Sequence, residues 1–286
     1  MKPWLKRALI ASLAAVVLIG SCAWVYFGHG DWLYSVECAL QRTEELSWTR
    51  LIHTGVTEHW TLEELAKNER VRMDQTLILV NASHPLPNGY EALLEDYNGA
   101  RMHPDMVAPY IELRDTVQAQ TGVRIYVSSD YRTAEEQAQI LLESEVGIAA
   151  EVGCSEHEAG LALDVYAPYY AGENFLKSPA GREVNRICAE FGFIIRYPKE
   201  KEEITGISYE PWHLRYVGAP HAELMTESGL VLEEYIEALE IGEWYRYGDY
   251  LIGRCSEDAM ELPIGWSSCH VSPDHCGNYI FTLKMR

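Results

Sequence analysis

The chain predicts an α+β fold, on three observations. Apolar residues recur at helical spacing in two stretches, Pro104–Gln120 and Ser178–Phe191. Short apolar runs with strand character stand between and after them. The two kinds of segment follow no regular strand-helix repeat, which argues against a doubly wound parallel sheet. There is no Gly-rich phosphate loop, internal repeat or low-complexity tract.

Taken in order, Met1–Arg7 carries Lys2, Lys6 and Arg7, and residues 8–27 run without a charge. As a helix that run is about 30 Å long, the thickness of a bilayer's hydrocarbon core. Positive charge before the span, with Asp31 and Glu37 after it, keeps the N-terminus cytoplasmic and places the rest outside. A cleaved signal peptide is one rival. A lipoprotein signal is another, since Ile19-Gly-Ser-Cys22 loosely resembles a lipobox. The apolar run continues past Cys22, which favours an uncleaved anchor, and all three readings agree on export. Residues 1–30 are therefore expected to be an anchor or signal, and 31–75 a stalk or N-terminal subdomain with one short helix opened by the capping box Thr61-Leu-Glu-Glu64.

The main domain is expected over 76–241. Leu77–Val80 reads as a strand closed by the turn-rich His84–Gly89. Gly122 stops the helix from Pro104, and Val123–Ser128 is the next strand. A second capping box, Thr133-Ala-Glu-Glu136, opens a helix to about Ser144. Leu161, Leu163 and Val165 alternate as on a half-buried strand, which puts Asp164 on the opposite face. Ser178-Pro179 starts the next helix as N-cap and first-turn proline, and Gly192 ends it. Phe193–Arg196 and His213–Val217 are further strands, and Pro220–Leu239 is two helices broken at Gly229. The tail, 242–286, reads as a small β-rich appendage. Its aromatic residues pack against the main domain or, on a second reading, bind wall polymer.

The net charge of −20 would repel a phosphate backbone, so nucleic-acid binding is not expected. Seven cysteines, at 22, 38, 154, 188, 255, 269 and 276, contain no Cys-x-x-Cys pair. Export would allow one bridge among the three in the tail.

Chemistry concentrates in three segments. His157 and Asp164 flank Gly160, whose freedom to bend brings them together. Glu210-Pro-Trp-His213 adds a second histidine and a spare carboxylate. Two imidazoles and a carboxylate suit zinc and leave the fourth tetrahedral position for water. An unattached glutamate beside such a site can take the water's proton and return it to a leaving amine. Arg132, after a strand and before a capped helix, can hold a terminal carboxylate through a bidentate pair.

These segments resemble those of the VanY-type D-alanyl-D-alanine carboxypeptidases, in the zinc peptidase family that also holds the D-alanyl-D-alanine dipeptidases. Its Ser-x-His-x-x-Gly-x-Ala-x-Asp pattern is met at Ser155, His157, Gly160, Ala162 and Asp164. Glu-x-Trp-His is met at Glu210, Trp212 and His213, and Tyr-Arg-Ser-x-x-x-Gln at Tyr131, Arg132 and Gln137, with Thr133 for Ser. The likeness covers roughly Leu77–Leu239 and leaves out the stalk and tail. It implies zinc held by His157, Asp164 and His213, and Glu210 as catalytic base. It implies that Arg132 grips the substrate's carboxylate, with Ser155 and Gln137 beside it. The fold it implies is a compact peptidase with a small mixed or antiparallel sheet and flanking helices. Glu158 stands where relatives often carry Gln, and Cys154 where a small polar residue is common; both are expected at the pocket rim.

The function expected is removal of the terminal D-Ala from peptidoglycan stem peptides. A cytoplasmic dipeptidase fits poorly with an exported chain. An L,D-carboxypeptidase or a wall endopeptidase would use the same metal site. A non-catalytic module that binds wall peptide would have no need of Glu210.

Overall fold

The computed structural model describes residues 48–51, 55–144 and 149–286. The expected membrane span and most of the stalk lie outside these residues. Among the described residues no helix is long and apolar enough to cross a membrane.

The chain begins with strands β1 (Thr49–Arg50) and β2 (Thr57–His59), helix α1 (Leu62–Ala66) and β3 (Val71–Met73). A hairpin of β4 (Glu95–Tyr97) and β5 (Ala100–Met102) leads to α2 (Pro104–Thr121), β6 (Tyr126–Ser129) and α3 (Ala134–Glu143). Then come β7 (Ala162–Tyr166), α4 (Pro179–Ile187), β8 (Phe193–Tyr197), α5 (Glu202–Thr205) and β9 (Glu210–Tyr216). Helices α6 (His221–Ser228) and α7 (Leu232–Ala238) precede β10 (Trp244–Tyr247), β11 (Tyr250–Cys255), β12 (Glu261–Pro263), β13 (Trp266–Pro273) and β14 (Tyr279–Met285).

The boundaries follow the local chemistry. Gly122 takes φ 73° and accepts the end of α2. Thr133 and Glu136 form a reciprocal capping box at α3. The hydroxyl of Ser178 accepts from the Gly181 amide at the start of α4.

Two sheets organise the molecule. The first is antiparallel, in the order β6-β7-β9-β8. Helices α2 and α4 cover one of its faces, where Met106, Leu113 and Val117 meet Leu163, Val165, Phe193 and Leu214. This is the α+β arrangement of helices segregated to one side of a sheet. The second sheet has the order β1-β10-β11-β14-β13-β3 and is mixed, because β3 joins β13 in parallel. Two of its strands, β1 and β3, come from the stretch read as a stalk or N-terminal subdomain, so that stretch and the tail share a sheet.

Leu77–Val80 is buried as expected but is not a strand. Its side chains alternate between two cores. Ile78 and Val80 enter the core beneath the first sheet, and Leu77 and Leu79 enter the core that α6 and α7 form with the second. Its backbone polar groups are met without a ladder: Arg215 donates to the carbonyls of Thr76 and Ile78, and Ser272 Oγ accepts from the Leu77 amide. Period-2 alternation is thus the mark of a seam here, not of a sheet.

The tail aromatics mostly pack inward. Trp244, Tyr245 and Trp266 are buried. Tyr245 lies 4.8 Å from Trp48, and Arg70 stacks 4.2 Å over Trp266. No bridge forms in the tail. Cys154, Cys188, Cys255, Cys269 and Cys276 are all free thiols, and each tail cysteine is at least half-buried in its own surroundings.

Candidate metal centre

Asp164 and His213 are cross-strand partners on β7 and β9. That pairing puts both on one face of the sheet, with Leu163 and Val165 turned to the core on the other. His213 Nδ1 lies 3.1 Å from Asp164 Oδ1. His157 reaches the same point from the turn before β7. That turn is held by amides of Glu158 on Ser155 O and of Gly160 on His157 O. Gly160 sits at φ 71°, a conformation that favours glycine, and a Cβ there would stand 2.7 Å from Leu94 Cδ2, which would have to turn aside. His157 Nε2 ends 3.4 Å from Asp164 Oδ2, with the two imidazoles edge to face.

Glu210 arrives by an irregularity in β9. A regular strand would turn residues three apart to opposite faces. Here Ile195 pairs with Leu214 while Tyr197 pairs with Glu210, so β9 holds more chain than β8 over this span. Pro211, which cannot donate to a ladder, sits in the excess. Asn185 Nδ2 on α4 donates 2.7 Å to the Pro211 carbonyl and fixes the detour. Glu210 Oε2 is thereby brought 3.6 Å from His213 Nδ1.

The atoms that His157, Asp164 and His213 offer all lie within 4.8 Å of one another. His157 Nδ1 is 2.7 Å from the carbonyl of Asp130, which can only accept, so Nδ1 carries the proton and Nε2 presents a lone pair inward. That Nε2 and Asp164 Oδ1 are buried without a hydrogen-bond partner. Buried acceptors left open and converging suit a divalent cation, and this donor set suits zinc.

The charges agree. Burial lowers the pKa of His157, favouring the neutral imidazole that ligates, although Asp164 opposes it. Burial would raise the Asp164 carboxyl, but His157 and His213 outweigh it and hold the group far below its usual range. For His213, burial is outweighed by Asp164 and Glu156, and its pKa rises to about 9. Burial lifts Glu210 above the ordinary carboxylate range, with His213 pulling the other way, which suits a group that must accept and release a proton.

Arg132 stands at the metal group. Its Nε donates to Ser129 Oγ at 3.0 Å, Nη1 to Gln137 Oε1 at 3.0 Å and Nη2 to Asp164 Oδ2 at 3.2 Å. Guanidinium has five N–H groups, so one remains on each terminal nitrogen. A cleft of about 760 Å³ opens beside it along the outer edge of β6, past Tyr126, Ser129 and Tyr131. Gln137 is fully buried, its amide shared between Arg132 and the Ala150 carbonyl, so it reaches the site through Arg132. Ser155 is buried at the head of the His157 turn. Glu158 is turned inward, not onto the rim: its carboxylate accepts from the Gly153 amide at 2.8 Å.

Residues 99–219 match the family described as VanY, D-alanyl-D-alanine carboxypeptidase. A D-alanyl-D-alanine carboxypeptidase of Enterococcus faecium is 30% identical over 237 residues, 76% of each chain. The chain belongs to the VanY family. Among solved structures it is similar to a variant of the vancomycin-resistance D,D-pentapeptidase VanY of a VanB-type cassette in complex with zinc, at 36% identity and a TM-score of 0.51. That likeness covers 57% of this chain and 99% of the other. It is also similar to the LD-carboxypeptidase LdcB, at 30% identity and a TM-score of 0.52, over 61% of this chain and 93% of that one. The VanY motif positions occupy the metal group and its border in this fold. Pattern reading passed over Glu156, Arg196 and Arg215, which lie behind His213. The available signal was a lone arginine inside each of two apolar strands, Ile194-Ile-Arg196 and Leu214-Arg215.

Proposed function

We propose that this VanY-family chain is a zinc-dependent carboxypeptidase that removes the terminal D-Ala from peptidoglycan stem peptides ending in D-Ala-D-Ala. The observation that carries the reading is the convergence of His157, Asp164 and His213 with Glu210 beside them and unattached. Zinc there would lower the pKa of a water and polarise the scissile carbonyl. Glu210 accepts the proton of the attacking water and delivers it to the nitrogen of the departing D-Ala. Asp164 keeps its charge throughout because the two histidines and Arg132 surround it. Arg132 offers its two remaining N–H groups to the substrate's terminal carboxylate, and Gln137 and Ser129 hold the fork in place. The cleft along β6, which Arg132 lines, receives the preceding residues of the stem, and Ser155 acts from the head of the His157 turn.

The reading includes the location. An N-terminal helix over residues 8–27, with basic residues before it, would anchor the chain with its catalytic part outside the membrane, where wall peptides are. A second reading, an L,D-carboxypeptidase acting on tetrapeptide stems, is favoured by the likeness to LdcB. Incubation with pentapeptide and tetrapeptide stems, with and without chelator, separates the two. The proposal expects free D-Ala from the pentapeptide and none after chelation. Activity that survives removal of metal would overturn it, and release from the tetrapeptide alone would establish the second reading.

A further inference from the structure

Behind the metal group lies a buried set of charges that the mechanism above does not use. Glu156 is buried between Ser155 and His157, at a position the family pattern leaves free. Its Oε1 accepts from two arginines, Arg196 Nε and Arg215 Nη1, each at 2.7 Å. Arg196 and Arg215 are themselves fully buried. Arg196 continues as a fork onto Glu233, at 2.8 and 2.6 Å, and Arg215 continues to the carbonyls of Thr76 and Ile78. The result is a carboxylate that cannot rotate.

Its other oxygen, Oε2, makes no hydrogen bond and faces His213 Nε2 at 3.5 Å. His213 Nε2 is likewise buried without a partner. Two buried groups, each short of a partner, thus face each other, and closure by roughly half an ångström would make a normal hydrogen bond. Only the imidazole can donate, since the carboxylate accepts. Placing the proton on Nε2 leaves the lone pair on Nδ1, the nitrogen that lies 3.1 Å from Asp164 Oδ1.

We propose that Glu156 is a positioning residue for the metal site: locked by Arg196 and Arg215, its carboxylate takes the Nε2 proton of His213 and so turns Nδ1, as acceptor, toward the metal. His157 is fixed in the complementary sense by the Asp130 carbonyl on its own Nδ1. The two histidines therefore ligate through different nitrogens, each tautomer set by the group on its far side. Partners of this kind are typically worth 10–100-fold in metal affinity. The buried ion pairs need not be net stabilising, so a positioning role accounts for them better than stability alone.

The inference rests on the metal reading above, and its test separates the two. Glu156→Gln keeps the shape and an oxygen for the arginines, but sets an amide N–H₂ against His213 Nε2. The imidazole must then move its proton to Nδ1 or turn away. Zinc affinity of the full chain, measured by competition with a chromophoric chelator, should fall by about 10–100-fold. The visible spectrum of the cobalt-loaded protein should change as well. Glu156→Asp should recover part of the affinity. Glu233→Gln strips Arg196 of its other carboxylate without touching His213, so it should lower the melting temperature and leave zinc affinity within about threefold. An equal loss of affinity in Glu233→Gln, or unchanged affinity and spectrum in Glu156→Gln, overturns the role of Glu156. Nitrogen-15 couplings of the histidines in the zinc-loaded parent need no variant to fold, and an Nδ1-protonated His213 would also overturn it. A parent that binds no zinc would refute the metal reading itself.

Discussion

Replacing Glu210 by glutamine tests the division of labour at the centre most sharply. The side chain keeps its volume on β9 and loses only its charge and its capacity to take a proton. None of the three converging ligand atoms is removed, since these belong to His157, Asp164 and His213. The variant should therefore bind zinc in the same one-to-one ratio as the parent. Turnover should fall by about 10²–10⁴-fold, the usual contribution of a positioned general base, or about 2.7–5.4 kcal/mol of barrier. Among the described residues, neither of the other carboxylates near His213 can substitute for Glu210. Asp164 is held ionised by both histidines and engaged by Arg132. Glu156 is enclosed behind His213, with one oxygen bound to two arginines. The assay is oxidase-coupled detection of D-Ala released from an acylated Lys-D-Ala-D-Ala peptide, with metal content measured on the same sample. A zinc-replete variant that keeps turnover within tenfold of the parent would remove Glu210 from the role of base.

Arg132→Lys, which loses the fork and the bond to Ser129, should lower kcat/KM at least tenfold on peptides with a free terminus. An equal loss on the terminally amidated peptide would argue against a carboxylate grip. His221, enclosed with Tyr235 Oη at 2.7 Å and Thr282 Oγ1 at 2.8 Å, has its pKa pushed down by burial from 6.5 to about 3. The unfolded chain then binds the proton more readily, so this stability is full above about pH 6.5 and is lost toward pH 3, at roughly 1.4 kcal/mol per pH unit. Urea melts at pH 7.5 and 5 should show the acid loss shrinking by about 2 kcal/mol in His221→Gln, and an unchanged pH dependence would refute this. Gly181→Ala would put a Cβ 2.1 Å from the backbone oxygen of Phe175 at the start of α4, and should cost about 3 kcal/mol. An unchanged urea midpoint would refute the clash.

How much of the site was legible in the sequence depended on the kind of signal. His157, Asp164 and His213 could be grouped because one turn and one strand alternation bring the first two together, and a short motif supplies the third. Glu210 was assigned from the same motif, yet its position depends on the irregular pairing of β9 with β8 and on Asn185 from a distant helix. Gln137 and Arg132 could be named together, but not that the glutamine holds the arginine and is itself closed off by Ala150. Leu77–Val80 misled because a short apolar run closed by a turn was taken for a strand. A chain threaded between two cores has the same need to turn successive apolar side chains to opposite sides.

The α+β class, the helix boundaries of the main domain and the identity of the converging residues follow from local chemistry: capping hydroxyls, left-handed glycines, periodicity and short motifs. These act over a few residues and leave their mark in order along the chain. Tertiary structure alone decided what stands behind each ligand and what the segments outside the motifs build. Glu156 meets Arg196 and Arg215 across 40 and 59 residues, and β3 joins β13 across the whole peptidase domain. Burial removes water from such groups and leaves each charge only the partners that the fold carries to it.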